Sequence, residues 1–239
     1  MPRRPSPDRL DQVMAAALRV FAEKGYRRTQ MADVARAMGV APGTLYTYVT
    51  GKDALFHLVV DRAFGPGAAV TPLALPIPAP PPGATLARLR ERLAKDAALP
   101  SLDAALRRGR VTDAQTELAG VVDELYERIE RTWRGIVVLE RSALEMPDLA
   151  HVFYAEMRRG LIDRLERYLA ARMRAGRLRP TAAPAAARFV LESVAWFAMH
   201  RHRDPMPPDL DDAAARAAVT ELIVNAFAVP GGPRRRRKE

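Results

Sequence analysis

A chain of 239 residues, 49% of them hydrophobic, suffices for one moderate all-helical body with a small appended domain. It has no cysteine, which excludes disulfides, thiolate nucleophiles and cysteine metal sites and fits an intracellular setting. The formal net charge of +10 sits at the two ends. Residues 1–52 hold nine Lys/Arg against four Asp/Glu, residues 230–239 hold five against one, and the centre is near balance. That placement suits a polyanion-binding end on an ordinary soluble body; an Arg- and Ala-rich soluble protein would show the same total. No cleavable signal segment is expected, because MPRRPSPDR lacks an apolar stretch, and no apolar run reaches bilayer-spanning length.

The first predicted helix carries Leu10, Val13, Met14, Ala17, Leu18 and Phe21 at the spacing of one buried face. Ser6 and Pro7 open it and Gly25 is its exit. A shorter second helix follows Thr29 as N-cap, buries Met31, Val34, Ala35 and Met38, and ends at Gly39. Val40 then turns inward, and Pro42 opens a third helix carrying Leu45, Tyr46 and Val49. Two short helices about a glycine-containing turn form the unit that lays its second helix in a major groove, although many helical hairpins share the pattern.

The exact residues narrow it. The run TQMADVARAMGVAPGTLYTYVTGKDAL from Thr29, with FAEKGY at residues 21–26, closely resembles the DNA-binding domain of the tetracycline-repressor-like (TetR) family of bacterial regulators. The resemblance covers roughly residues 10–56; beyond it the chain is similar to the family only in being helical and of suitable length. It implies that Pro42, Gly43, Thr44 and Thr47 face base edges and thymine methyls. It implies phosphate contacts from Tyr46, Tyr48, Lys52 and Thr29. Two positions depart from the family pattern: Ala41 stands where Ser or Thr is common, removing an N-cap, and Val49 replaces a commoner phenylalanine. No Arg or Lys lies within residues 42–48 to grip a guanine, so direct readout is modest and an arm bearing Arg3 and Arg4 is a candidate to supplement it.

A fourth helix is predicted over residues 52–64, connecting the residue 1–52 reading domain to the remainder. Residues 65–84 are proline-rich and read as a semi-rigid extended connector, anchored on the body by Leu73, Leu75 and Ile77, or as a docking segment for a proline-recognising partner. Residues 85–229 read as a helical effector-binding and dimerisation domain. Its helices are expected at 85–98, 101–108, 113–144, 148–175, 182–202 and 209–228, with Asp209 capping the last. Residues 230–239 form a basic tail, read as a disordered solubilising segment or an anion contact.

Glu140 falls on the apolar stripe Leu118, Val122, Leu125, Ile129, Trp133, Ile136 and Leu144. Either an arginine pairs with it inside the bundle, or it orients a ligand in a cavity lined by Tyr126, Trp133, Phe153, Tyr154 and Met157. Trp196 faces that cavity or the edge of a dimer interface. The family's arrangement implies an interface of Val190, Leu191, Val194, Phe197, Leu222, Ile223 and Phe227; the alternative is that these close a monomeric core.

The expected protein is therefore an all-α, cytoplasmic bacterial regulator. It binds double-stranded operator DNA as a homodimer and is most readily read as a repressor answering a small, mostly apolar effector. No cofactor and no membrane partner is implied. A helical DNA-binding adaptor without an effector is the alternative. An enzyme is disfavoured: His57, His151, His200 and His202 make no metal-ligand motif, and there is no phosphate-cradling loop or nucleophile elbow.

Overall fold

The computed structural model describes residues 7–64, 75–109 and 112–229; the Ser6 cap, Arg3, Arg4, Leu73 and the basic tail lie outside them. The helices are α1 (Pro7–Arg28), α2 (Met31–Met38), α3 (Pro42–Leu45), α4 (Lys52–Ala63), α5 (Ala84–Asp96), α6 (Pro100–Arg107), α7 (Ala114–Ala143), α8 (Pro147–Ala150), α9 (Arg159–Arg174), α10 (Ala183–Ala198) and α11 (Asp212–Ala226). A π-helical segment, His151–Arg158, joins α8 to α9, and a 3₁₀ turn, His200–Arg203, follows α10. Two compact units interleave along the chain: Met1–Ala97 with Arg131–Arg158, and Ala98–Glu130 with Arg159–Glu239.

In the first unit the stripe of α1 is buried as its spacing requires, with Val13, Ala17 and Phe21 wholly covered. Gly25 breaks the helical path with φ 74° and ψ 175°, in the half of conformational space where glycine is at ease. A Cβ there would stand 3.0 Å from the Arg141 carbonyl oxygen on α7. The next residue fastens the same contact, the Tyr26 N–H donating to Ser142 Oγ at 3.1 Å. Thr29 Oγ1 donates to the Gly25 carbonyl at 2.7 Å. The corner between α1 and α2 is thus seated on the end of α7.

That seat corrects the expected cap. Thr29 is 1% exposed with its hydroxyl committed to Gly25, and Gln30 takes the N-cap position of α2. The Gln30 N–H donates to Asp33 Oδ2 at 3.0 Å, satisfying one of the free donors of a helix start. Gly39, at φ 66°, ends α2 where expected.

The third helix is shorter than predicted. It spans Pro42–Leu45, because the chain beyond it is drawn into pairing with the proline-rich segment rather than continuing the turn. Val49 forms an isolated parallel bridge with Ile77. The Ile77 N–H donates to Tyr48 O at 2.8 Å and the Thr50 N–H to Ile77 O at 2.9 Å. Ile77 is buried and Leu75 partly buried, both packed in the core around α1–α4.

Helix α4 turns Ala54, Leu55, Phe56, Val59 and Val60 inward. Its last turn lies against α7 at Gly135, where a Cβ would come within 2.6 Å of Ala63 Cβ and 2.8 Å of Ala63 O. Asp61 receives Arg88 at 2.5 Å and Arg92 at 3.0 Å from α5, and His57 Nδ1 lies 3.1 Å from Thr85 Oγ1.

The second unit packs α6, the first part of α7, α9, α10 and α11 around Leu102, Leu118, Tyr126, Tyr168, Val190 and Ile223. Arg172 is almost wholly buried. It pairs with Glu117 at 2.6 Å and donates to the Ala105 carbonyl at 2.7 Å, serving one of the free acceptors at the end of α6. The expected helix over 148–175 is interrupted by the π-helical segment, and the one over 182–202 gives way at Ala198 to the 3₁₀ turn. Asp211, not Asp209, caps α11, accepting from the Ala214 N–H at 2.7 Å.

Most residues of the expected interface turn inward in the single chain. Val190, Leu191, Val194, Ile223 and Phe227 are buried inside this unit, so the apolar periodicity of α10 and α11 marks their core face. Phe197 is half-buried, and Leu222 is 59% exposed. Phe189, absent from the expected set, is a second exposed apolar side chain of this unit, 47% exposed on α10.

The Gly135 contact is directly testable. Gly135→Ala places a methyl group in the last turn of α4, and overpacking of this kind should cost about 1–3 kcal/mol of stability, measured by urea unfolding of the full chain. Unchanged stability would show that α4 and α7 do not meet there.

Candidate nucleic-acid interface

Helix α3 presents its outer side without charge. Pro42, Gly43 and Thr47 are exposed and Thr44 is half-exposed, while Leu45 is wholly buried beneath them. Pro42 occupies the first helical position, where its fixed φ and missing N–H cost nothing. Thr47 Oγ1 donates to Thr44 O at 2.7 Å, so its hydroxyl proton is spent on the main chain and its methyl group and lone pairs face outward. Such a surface suits thymine methyls and close backbone approach more than bidentate readout.

The tyrosines separate. Tyr46 is 49% exposed, as a group reaching a phosphate must be. Tyr48 is 5% exposed and its ring belongs to the core, because the backbone of its turn is pulled onto Ile77. The Thr29 hydroxyl is enclosed and bonded to the Gly25 carbonyl, which leaves the backbone N–H groups of that helix start as the groups that could meet a phosphate. Gln30 is the exposed residue at that helix start, with the exposed Arg27 three residues before it. An acid three residues after Gln30 is the reciprocal capping pattern that marks this start in the sequence.

Lys52 is fixed rather than free to swing. Its Nζ donates to Arg27 O at 3.2 Å and lies 4.5 Å from the centre of the Tyr26 ring, leaving further ammonium donors for an anion. The Tyr26 hydroxyl donates to Asp53, and burial, then this bond and the carboxylate charge, push its pKa up to about 12. The start of α4 is thereby tied to the end of α1. Asp33 is held below the usual carboxylate range, first by the hydrogen bond from Lys24 and then by the Gln30 N–H.

The residues expected around an effector divide between the two units. Tyr126 is a core residue of the second, its hydroxyl 3.4 Å from Phe197 O. Trp196, also there, is half-buried and meets Phe197 edge-on at 5.0 Å. In the first unit Phe153 is buried, with the exposed Tyr154 edge-on to it at 4.7 Å. Met157 is partly buried, and Trp133 half-buried beneath the Arg134 guanidinium at 4.4 Å. Glu140 is half-buried with Arg158 3.9 Å away, a separation wide enough to leave both groups partly hydrated. Phe153, Tyr154 and Met157 all fall on the π-helical segment, an irregularity that the apolar spacing of residues 148–175 does not reveal.

A short, exposed helix carried behind a glycine turn on a buried three-helix core is the helix-turn-helix arrangement. Residues 13–59 match the model of bacterial regulatory proteins of the tetR family. Residues 132–229 match that of the AefR-like transcriptional repressor C-terminal domain, and together the two cover well over half of the chain. The chain belongs to the TetR family of bacterial transcriptional regulators.

The Escherichia coli HTH-type transcriptional repressor ComR is 38% identical over 52 residues, 22% of this chain and 25% of that protein. The Bacillus subtilis fatty acid metabolism regulator protein is 43% identical over 52 residues, 21% of this chain and 27% of its own. The chain thus aligns with about a quarter of the length of these curated relatives. Among solved structures, a tetR-family regulatory protein from Rhodococcus RHA1 shares the fold with a TM-score of 0.54 at 19% identity, over 93% of this chain and 98% of that one. The fold is all-α, an N-terminal helix-turn-helix followed by a helical C-terminal domain, as the sequence implies. No described helix is long and apolar enough to cross a membrane.

The exposures predict unequal tyrosines. Tyr46→Phe should weaken duplex binding by about three- to tenfold through one lost hydrogen bond, whereas Tyr48→Phe should leave it within about twofold. Fluorescence anisotropy with a labelled duplex at fixed salt measures both; equal losses would refute the assignment.

Proposed function

We propose that this regulator is a repressor that binds a palindromic operator as a homodimer in the bacterial cytoplasm and is released by a small, mostly apolar effector. The observation that carries the reading is the exposed, uncharged face of α3 on a tightly packed support. Pro42, Gly43, Thr44 and Thr47 read bases, and Tyr46 and Lys52 hold phosphates. Gln30 and Arg27 take the backbone position that Thr29 vacates. Arg3 and Arg4 add to specificity as a basic arm.

One four-residue helix covers few base pairs, so two copies are needed for useful specificity. Phe189 and Leu222, apolar and exposed on α10 and α11, supply the centre of a two-fold contact with Phe197 at its margin. Glu140, Tyr154, Met157 and Trp133 orient the effector. Release requires that the effector bind the geometry with misplaced recognition helices more tightly than the DNA-competent one.

Selection of duplexes from a random-sequence pool with the purified protein tests this reading. The expected product is a two-fold-symmetric site with half-site centres about 34–36 Å apart or a multiple of that. A compound screen for release then identifies the effector, and a site that no compound releases would favour a DNA-binding adaptor. Leu222→Glu should yield monomers in analytical ultracentrifugation and lower operator affinity by about a hundredfold or more, since the second half-site is lost. Retention of no duplex above a salt-sensitive background would refute the proposal.

A further inference from the structure

The helix that faces DNA is one turn long, and a helix of four residues does not sustain itself. Its N-terminal side follows the glycine turn at Gly39, but its exit, Tyr46 to Thr50, is irregular backbone whose polar groups need partners. Ile77 supplies two of them, accepting the Thr50 N–H and donating its own to Tyr48 O. Its side chain, 7% exposed, joins the same core cluster as Leu45, Val49 and Leu55.

The local sequence is built for this contact. In Pro76-Ile77-Pro78 only Ile77 carries an N–H, so the segment offers one donor and cannot extend into a longer strand. The flanking prolines also restrict the unbound chain, so little conformational entropy is lost on docking.

Seven residues further on the segment enters α5 at Ala84, and α5 is pinned along α4. His57 meets Thr85, and Asp61 receives both Arg88 and Arg92. Helix α4 is therefore tied at its N-terminal end through Thr50 to Ile77, and along its C-terminal half to α5. A swing of α4 alone would break one set of ties or the other.

We infer that Pro76-Ile77-Pro78 is a strap that positions the recognition helix, and that α4, the strap and α5 move as one bracket with Ile77 passing its placement to the turn behind α3. Ile77 is a positioning residue and touches no DNA. The inference rests on α3 being the DNA-reading helix.

The test uses the full-length protein and two labelled duplexes, one recovered by selection with the wild-type chain and one a scrambled control of equal length. Ile77→Gly should lower the ratio of selected to scrambled affinity by about tenfold, as displacement from one base pair does, and leave the salt slope on the scrambled duplex unchanged. Ile77→Val should restore the ratio to within about twofold, since it keeps both backbone bonds and most of the side chain.

A wild-type ratio in Ile77→Gly overturns the inference. Loss of both affinities together with the helical circular-dichroism signal also overturns it, making Ile77 a core residue only. Amide exchange in the wild-type chain decides the point without any variant: the Thr50 and Ile77 amides should exchange at the rate of the α4 amides, and exchange as fast as an open loop contradicts a strap. A protein that retains no duplex in the selection fails at the DNA-reading step instead, so the two failures are distinguishable.

Discussion

Where α1 ends, a missing side chain lets two pieces of backbone meet. Gly25 turns the chain through a positive φ, and the space its Cβ would need is filled by the Arg141 carbonyl of α7. Three further bonds converge on the corner: Thr29 onto the Gly25 carbonyl, the Tyr26 N–H onto Ser142, and Arg28 onto Glu145 at 2.9 Å. The direction of α2, and through it the placement of α3, follows from how closely this corner sits. The burial of Thr29 is a consequence of the same contact, and so is the transfer of the cap to Gln30.

From that seat the support for the reading surface continues around α4. Tyr26 and Lys52 fix its start, Gly135 admits its last turn, and α5 grips its outer half through Asp61. The strap at Ile77 closes the circuit behind α3. The charged residues here work as fasteners more than as DNA ligands, which explains how a strongly basic protein presents an uncharged recognition helix. On the proposed reading, sequence discrimination depends on shape and methyl contacts, and such contacts are useful only when the helix is held in register.

Much of this was legible in the residues. The spacing of Val13, Ala17 and Phe21 locates α1, the glycines at 25 and 39 locate its exit and that of α2, and Pro42 marks the start of α3. What periodicity does not report is which of two apolar faces a helix turns inward, so Val190, Val194 and Ile223 were natural choices for an interface although they fill the core of their own unit. Nor does local pattern show a long-range backbone partner. Nothing near Tyr48 indicates that Ile77, well along a proline-rich stretch, will shorten α3 and turn that tyrosine inward. The π-helical segment is invisible for a related reason: one residue of altered register leaves an apolar stripe nearly intact.

The seat at Gly25 can be isolated by comparison with Gly39, which has a nearly equal positive φ of 66° but no atom within 4 Å of an added Cβ. Alanine at Gly39 enters the left-handed region at modest cost, whereas at Gly25, with ψ 175°, it meets both a backbone conformation open essentially to glycine alone and the α7 backbone. Urea unfolding of Gly25→Ala and Gly39→Ala, with selected-duplex affinity measured on each and on Ser142→Ala, which removes the acceptor of the Tyr26 N–H without straining Gly25, separates strain from the seat. Gly25→Ala should be the less stable by about 1–3 kcal/mol and should lose more specific affinity. Ser142→Ala should lose specific affinity relative to Gly39→Ala, and equal specific affinity in those two variants would contradict a reading head positioned by that contact.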